Sequence, residues 1–336
     1  MAPTRIFLTG ASGCVGHYLV EQLLALPEYE LVLLVRNPAK VPADWHGRPG
    51  VTLVQGDLTD LTPYRDLLET VDVAILTATA WGGDPTYRVN VDGNLGIVQA
   101  LDPARCQQVI YFSTASLLNR QQEILPQCFE LGTDYIRSKA LCHQQLVQTP
   151  LADRLTVIFP TLVFGGEPGQ PASQMTAGLD EVLRWLPVLR WLRVDTQFHF
   201  IHAQDLARIV VRLTQQPPSV PGPRQMVVGS PCVTFNQVVR EICTYFDLGR
   251  PWGIPLPQRA LIWLAHRSHW FGVRIGAWDL FCLDLRYFCY DQAVHPTHWG
   301  LPATCTTVAD LLKASGYAPG RPGWQALQAR LRLKSA

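Results

Sequence analysis

The feature that most constrains the fold is a glycine-rich segment, TGASGCVG from Thr9 to Gly16, which directly follows a short apolar run. The apolar run and the amphipathic stretch His17–Leu26 after the segment predict a strand, a tight turn and a helix. Three glycines spaced three residues apart permit that turn, let a pyrophosphate approach the backbone, and allow close packing of helix on strand. The amino terminus of such a helix attracts phosphate. The sequence therefore predicts a dinucleotide-binding unit at its start.

The first half of the chain alternates short Val, Ile and Leu runs with amphipathic stretches, the pattern of parallel strands joined by crossover helices. The predicted strands are Arg5–Thr9, Leu31–Val35, Thr52–Gln55, Val73–Leu76, Val109–Ser113 and Leu155–Phe159, and the predicted helices are His17–Leu26, Leu61–Thr70, Tyr87–Leu101 and Thr133–Thr149. We therefore expect an α/β fold with a Rossmann-type, doubly wound parallel sheet, which binds ligands at the carboxyl ends of its strands.

The regular alternation ends after Pro160. We expect residues 1–165 to form a dinucleotide-binding Rossmann domain, completed by parts of 198–230. Residues 166–197 and 231–336 are expected to form a smaller C-terminal substrate-binding lobe. A strand at Gln225–Val228 and a helix capped by Thr234 are predicted near this boundary.

Composition excludes several classes of protein. Lys and Arg (28) nearly cancel Asp and Glu (27), so the chain lacks the basic field of a nucleic-acid-binding protein. The nine cysteines form no CxxC pair, which favours free thiols in a reducing compartment and hence the cytoplasm. The histidines match no metal-ligand pattern, so we expect no metal. Strand-like sequence begins by Arg5 and no long uncharged apolar stretch follows, so we expect neither a signal peptide nor a membrane span.

A second motif, YIRSK, places Tyr135 and Lys139 four residues apart, on one face of a predicted helix. A free phenol has a pKa of about 10 and is a poor acid or base at neutral pH. A neighbouring ammonium, together with the positive charge of an oxidised nicotinamide, favours the phenolate and is expected to lower that pKa. Tyr135 could then exchange a proton with a substrate oxygen. The alternative is an ordinary surface Tyr and Lys on an amphipathic helix.

With both motifs in place, the chain resembles the extended short-chain dehydrogenase/reductase superfamily, which includes nucleotide-sugar epimerases and dehydratases and hydroxysteroid and flavonoid reductases. Further matching segments follow in order: GDLTD at Gly56–Asp60, VDVAILTATA at Val71–Ala80, VNVDGN around Asn90, YFSTAS at Tyr111–Ser116, FPTLVFG at Phe159–Gly165 and FIHAQDLA at Phe200–Ala207. The resemblance implies an enzyme that moves a hydride to or from a nicotinamide, with Tyr135 as acid/base and Lys139 tuning it and holding the ribose.

The resemblance also implies the other site residues. Asp57 and Leu58 would flank the adenine, and Ala78 would lie near the nicotinamide ribose. Thr114 would polarise the substrate oxygen. Ser113 is the alternative one residue away, and both hydroxyls could instead cap the chain end. The full expected cofactor-binding set is Gly10, Ser12, Gly13, Cys14, Val15, Gly16, Arg36, Asp57, Leu58, Thr77, Ala78, Thr79, Ser113, Tyr135, Lys139 and Pro160.

Arg36 bears on the choice of cofactor. It lies 20 residues beyond Gly16, where an acidic residue would hold the ribose of NAD(H), and the sequence there, LVRNP, has none. An arginine at this position can pair with the 2′-phosphate of NADP(H). We therefore expect NADP(H), with NAD(H) as the alternative if Arg36 is simply a solvated side chain.

Two aromatic residues bear on the substrate. Phe159 and Phe198 stand where sugar-modifying relatives carry arginine, and the second lobe is rich in aromatics. This favours an apolar small molecule, such as a steroid-, terpenoid- or flavonoid-like ketone or alcohol. Core packing explains many of these aromatics equally well. The alternative functions are a nucleotide-sugar epimerase or dehydratase, and a non-catalytic scaffold or assembly factor at a membrane complex.

The aromatic segment 261–290, which includes Trp263, Trp270, Phe271, Trp278 and Phe288, has three open interpretations. It could be a pocket lid, a peripheral membrane contact or part of the core. In relatives, the helices corresponding to Tyr87–Leu101 and Thr133–Thr149 form a two-fold bundle, so the resemblance also suggests a homodimer.

Overall fold

A computed structural model describes residues 3–167, 169–249, 252–267 and 275–333. Its strands are β1 (Thr4–Thr9), β2 (Tyr29–Val35), β3 (Val51–Gln55), β4 (Val73–Leu76), β5 (Gln108–Phe112), β6 (Leu155–Pro160), β7 (Leu162–Phe164), β8 (Leu192–Arg193), β9 (Gln197–Phe198), β10 (Phe200–His202), β11 (Arg224–Val228), β12 (Val233–Thr234), β13 (Ile254–Pro255) and β14 (Tyr287–Phe288). Its α-helices are α1 (Cys14–Leu23), α2 (Arg65–Leu68), α3 (Asn94–Ala100), α4 (Gln127–Glu130), α5 (Asp134–Leu146), α6 (Gln174–Ala177), α7 (Leu179–Arg184), α8 (Leu186–Leu189), α9 (Ala203–Gln215), α10 (Phe235–Tyr245), α11 (Gln258–His266), α12 (Ala277–Leu285), α13 (Val308–Ala314) and α14 (Gly320–Leu333).

The central sheet has seven parallel strands in the order β11-β6-β5-β4-β1-β2-β3. Its strands are continuously apolar because both faces are buried. Within β1, Phe7 packs into the core on one face, whereas Ile6 and Leu8 pack into the core on the other. The predicted Rossmann-type α/β fold is confirmed, and the order reverses beside β1, where such sheets bind ligands.

Two predicted helices are interrupted. Over Leu61–Thr70 the chain forms a 3₁₀ turn at Thr62–Tyr64 and then only the short α2. Pro63, which has no N–H to donate, lies in that turn. Over Tyr87–Leu101 a π-helical turn, Arg88–Gly93, precedes α3. Side-chain polarity indicates a helical face but does not reveal such a change of winding.

The second half adds smaller sheets and a third core. β12, β9 and β14 form a three-stranded sheet, and β13 pairs with β8. Thr234 caps α10 as predicted, since its side chain accepts a hydrogen bond from the Gln237 amide. β11 lies at the edge of the central sheet and α9 packs against α1. The division into two domains stays a prediction.

The cysteines depart from the expectation of free thiols. Cys232 and Cys289, 57 residues apart, form a disulfide. The other seven cysteines are free. Spacing along the chain could not indicate this bond, because the small sheet β12-β9-β14 brings the two residues together. Because two of the cysteines are paired, the cysteines no longer argue for a reducing compartment.

The aromatic residues of segment 261–290 do not all have the same environment. Trp278 packs against the main core, whereas Phe288 lines a cavity. Trp263 is 53% exposed. Trp270 and Phe271 lie outside the described residues. Among the helices described, none has the length and apolar character needed to cross a bilayer.

Candidate active site

A cavity of about 1160 Å³ opens at the carboxyl ends of the central strands. The structure brings every predicted site residue to its wall: Gly10, Ser12, Gly13, Cys14, Val15, Gly16, Arg36, Asp57, Leu58, Thr77, Ala78, Thr79, Ser113, Thr114, Tyr135, Lys139 and Pro160. These residues come from most of the strand ends of the sheet, so only the parallel topology makes them neighbours.

The glycine-rich turn fits a dinucleotide. Gly10 has φ +81°, and a Cβ there would overlap Thr77 Oγ1 and lie 2.9 Å from the Ala78 amide nitrogen. A Cβ on Gly16 would overlap the Gly10 carbonyl. Gly13, the N-cap of α1, has only the Gly10 carbonyl oxygen near its Cβ position, at 3.3 Å, and carries no capping side chain. The positive end of α1 therefore meets the cavity at a bare backbone, as a pyrophosphate requires.

Tyr135 and Lys139 lie on α5, which begins where Thr133 accepts a hydrogen bond from the Ile136 amide. Thr114, directly beyond β5, hydrogen bonds to the Tyr135 phenol. Thr114 also caps a short 3₁₀ turn by accepting from the Ser116 amide at 3.4 Å. The two interpretations of Thr114, as a cap and as a site residue, therefore describe the same hydroxyl.

Ser113, the alternative to Thr114, is 5% exposed and its hydroxyl has no hydrogen-bond partner. A buried hydroxyl without a partner is costly. Because Ser113 lines the cavity beside Pro160, a bound group with polar atoms would satisfy it. This orphaned hydroxyl is a second indication that the cavity accepts a polar ligand such as a dinucleotide.

Burial dominates the electrostatics of the Tyr135–Lys139 pair. Burial raises the pKa of Tyr135 to about 12, and the hydrogen bond from Thr114 only partly opposes this. Lys139 is fully buried, and burial lowers its pKa to about 8. Its ammonium donates to the Phe112 carbonyl oxygen at 2.7 Å and lies 5.0 Å from the centre of the Tyr111 ring. The expected lowering of the phenol's pKa by Lys139 together with an oxidised nicotinamide stays a prediction; among the protein's own groups, desolvation has the largest effect on Tyr135.

Arg36 follows β2 at one end of the cavity, together with Asn37 and Lys40. Asp57 faces the same end. Hydrogen bonds from Thr59 lower the pKa of Asp57, and the charge of Arg36 contributes to this. Sequence reasoning missed Lys40. Its position four residues beyond Arg36, just after a strand end, was the available signal.

Asn90, in the π-helical turn, hydrogen bonds to two segments beside the cavity. Its side-chain oxygen accepts from the Ala80 amide at 2.7 Å and from Thr79 Oγ1 at 3.1 Å. Its Nδ2 donates to the Ala80 carbonyl at 2.8 Å and to Ser138 Oγ at 3.0 Å. Asn90 thus holds the loop after β4 against the helix that carries Tyr135.

Trp81 is a cavity residue that sequence reasoning also missed. Its ring stacks on Tyr135, with the ring centres 4.5 Å apart. The signal was its place directly after the VDVAILTATA segment. Stacked there, Trp81 covers the phenol from the side of the cavity.

The rest of the cavity wall is mostly apolar, although Thr161, Ser173, Gln174, Thr196 and His199 also line it. The apolar walls include Leu162, Val163, Met175, Phe198 and Phe288. The charged side chains that line the described cavity are Arg36, Lys40, Asp57 and Lys139, and none of them lies among these apolar walls. Phe159 is completely buried against His143 and does not reach the cavity, so its place in the substrate argument was wrong. Phe198 alone of the two phenylalanines bears on the substrate.

His199, Cys232 and Cys289 form a cluster whose potential ligand atoms lie within 4.8 Å of one another. The two sulfurs are joined, and His199 already contacts the Ser230 carbonyl oxygen through Nδ1 and accepts from the Tyr290 amide through Nε2. These three residues are thus engaged with the protein itself, and His199 helps to fix the cavity wall.

Comparison with known sequences places these features in a family. The sequence profile of the NAD dependent epimerase/dehydratase family matches residues 6–229. The chain belongs to this family. Its members are enzymes, and the predicted resemblance to extended short-chain dehydrogenases/reductases is confirmed.

Individual family relatives differ in activity. The chain is 25% identical to dihydroflavonol 4-reductase of Callistephus chinensis over 251 residues, 64% of this chain and 66% of that protein. It is 36% identical to quinone oxidoreductase 2 of Escherichia coli (strain K12) over 86 residues, 25% of this chain and 29% of that protein. The match thus covers less than two thirds of the length of each of these two relatives. The Bordetella bronchiseptica enzyme WbmG, solved in complex with NAD and UDP, superposes with a TM-score of 0.64 at 16% identity, over 98% of this chain and 96% of that one. That likeness supports the fold.

Proposed function

We propose that this family member is an NADP(H)-dependent oxidoreductase that acts on a carbonyl or hydroxyl group of an apolar small molecule. The observation that carries the proposal is the polarity of the cavity. Arg36, Lys40 and Asp57 lie at the end beyond β2 and Lys139 lies on α5, whereas the wall around Phe198 and Phe288 carries no Asp, Glu, Lys or Arg among the residues described. A nucleotide-sugar substrate would bring a diphosphate into this apolar end without a charged partner.

A dinucleotide fits the residues present. The amides at the start of α1 would hold its pyrophosphate, Asp57 and Leu58 would flank the adenine, and Ser113 and Lys139 would meet the ribose. When bound, its nicotinamide supplies or accepts the hydride. The choice of the phosphorylated form is supported by Arg36 and Lys40, two cations where NAD-specific proteins place an acid.

The protein's own part is proton transfer at the substrate oxygen. Thr114 and the Tyr135 phenol would both hydrogen bond to that oxygen. The phenol, with a pKa raised to about 12, is protonated at neutral pH, so it is poised to give its proton to a carbonyl in the reductive direction. Lys139, with its pKa lowered to about 8, gives up a proton more readily than an exposed lysine does, and so can supply a proton within the site. The apolar walls exclude water from the reacting centre.

The cofactor assignment is tested by fluorescence titration with NADPH and NADH. Charge-assisted hydrogen bonds contribute about 1.5–3 kcal/mol each, so Arg36→Ala should weaken NADPH binding about 10- to 150-fold and leave NADH binding unchanged. Lys40→Ala should act in the same direction. Arg65→Ala, an exposed arginine outside the cavity wall, is the matched control. Equal affinity of the native protein for both cofactors would contradict the assignment to NADP(H).

The reaction is tested with NADPH, a panel of steroid-, terpenoid- and flavonoid-like ketones, and UDP- and dTDP-sugars. Tyr135→Phe should lower turnover about 10²- to 10⁴-fold while NADPH binding persists. Turnover of nucleotide sugars alone would establish the epimerase or dehydratase alternative. The scaffold would be favoured if the native protein and Tyr135→Phe both bound the cofactor equally well and neither turned over any compound of the two substrate groups.

A further inference from the structure

An exposed surface, here called the Trp–Arg face, comprises residues 182–193 and 252–267. The face exposes large apolar side chains that a folded protein normally buries, among them Val182, Trp185, Trp191, Trp252, Ile254 and Trp263. Trp252 is 97% exposed and Trp185 is 56% exposed. Contiguous apolar patches of this kind on a protein surface mark interaction sites.

The two segments form one continuous surface. β13 pairs with β8, and the Ile254 amide donates to the Trp191 carbonyl at 2.7 Å. α11 begins three residues after β13 and carries Trp263. From α7 to the residues after α8, the exposed residues Val182, Trp185, Val188 and Trp191 recur at every third position.

The charge of the face is one-sided. Residues 182–193 and 252–267 contain five arginines and no Asp or Glu, although acidic and basic residues nearly balance over the whole chain. The guanidinium of Arg267 lies 4.1 Å from the centre of the Trp263 ring, and that of Arg190 lies 6.0 Å from Trp191. Glu181 borders the face and is paired with Arg184. The surface is therefore both apolar and positively charged.

We propose that the Trp–Arg face docks on the surface of a bilayer that contains anionic lipids. Tryptophan prefers the membrane–water interface because its ring is apolar and its N–H is polar. Arginine keeps its stem among apolar groups while its charged end meets lipid phosphates. A protein partner of ordinary composition would have to match four tryptophans and an excess of arginine over an irregular surface. An anionic bilayer matches both properties everywhere.

The position of the face supports a lipid partner. α6, which carries the cavity residue Met175, packs against α7, and α12, which carries the cavity residue Cys282, packs against α11. The elements that build the face thus adjoin the apolar end of the cavity, where a lipid-soluble substrate would enter. This supporting argument rests on the proposed function. The docking itself does not, and its test involves no turnover.

The test is flotation of the full-length protein with phosphatidylcholine vesicles, with and without phosphatidylglycerol. The native protein should float with the anionic vesicles and much less with the neutral ones. The double variant Trp185→Ser/Trp252→Ser should bind about tenfold or more weakly, since tenfold corresponds to about 1.4 kcal/mol, less than the transfer of two indole rings provides. Arg259→Gln should weaken binding to the anionic vesicles about fivefold, and added salt should weaken it further.

Val220→Ser is the matched control, because Val220 is 68% exposed but lies outside the face, between α9 and β11. It should float as the native protein does. Urea unfolding of every variant shows whether each is folded as the native protein is. Failure of the native protein to float, or flotation of the double variant equal to native, would overturn the proposal. The proposal would also be overturned if sedimentation velocity showed that the native protein is a dimer and the double variant a monomer, since the face would then bind a second copy of the chain.

Discussion

The side chain of Asn90 provides the sharpest test of how this site is held together. Its amide bonds both backbone groups of Ala80 and also reaches Ser138 on α5. Truncation to alanine would leave the Ala80 N–H and C=O without their partners. A buried backbone group left without a partner costs about 1–3 kcal/mol, and Ala80 is half-buried, so Asn90→Ala should lower the free energy of unfolding by about 2–4 kcal/mol.

Asn94→Ala is the matched control. Asn94 is equally buried and lies one turn further on. Its Nδ2 donates only to the Val89 and Asn90 carbonyls of its own turn, and its Oδ1 has no partner. The same volume is removed, but no link between separate segments is lost and no amide N–H is orphaned. A loss of about 1–2 kcal/mol is expected.

Urea unfolding followed by circular dichroism and by tryptophan fluorescence measures both losses, and coincident transitions would justify the free energies. Asn90→Ala should unfold at the lower urea concentration of the two, with an unchanged slope. A loss at Asn90 equal to or smaller than that at Asn94 would refute the reasoning, because the links between segments would then contribute nothing beyond the local turn.

Two further perturbations test the buried Lys139 and the disulfide. Burial lowers the pKa of Lys139 from 10.5 to about 8, so between these values the unfolded chain binds more protons and native stability rises with pH. Lys139→Met lacks this titrating group, so its free energy of unfolding should fall relative to that of the native protein by on the order of 3 kcal/mol from pH 8 to 10.5. If the urea midpoints of the two proteins changed in parallel over that range, the prediction would be contradicted. Cys232→Ser opens a 57-residue loop and should lower stability by about 4 kcal/mol without reductant. Reductant should lower the urea midpoint of the native protein and leave the variant unchanged, and a native midpoint insensitive to reductant would contradict the disulfide.

The glycine-rich turn and the Tyr135–Lys139 pair could be predicted because their chemistry depends on short spacings. A helix brings residues four apart onto one face, and a tight turn favours glycine where the chain takes positive φ, as at Gly10. The strands were predictable because a parallel sheet buried on both faces requires continuous apolar runs. These features follow from neighbours in the sequence.

The pKa values, the disulfide and the division of the cavity into a charged and an apolar end were not predictable in the same way. Each depends on which residues distant in the sequence come together. Burial is the largest influence on the pKa values of Lys139 and Tyr135, and it arises where α5 packs beside β5. Phe159 and Phe198 are alike in sequence, yet one lies in the core and the other lines the cavity.

The sequence by itself determined the strands, the glycine turn and the Tyr135–Lys139 pair, because these rest on local periodicity and on side-chain chemistry, whereas Thr114 came from the family resemblance. Only the tertiary structure decided how dry the site is, what Asn90 joins, where Cys232 finds its partner and which tryptophans face outward. Solvation and long-range contact set those properties, and both depend on the packing of segments that lie far apart along the chain.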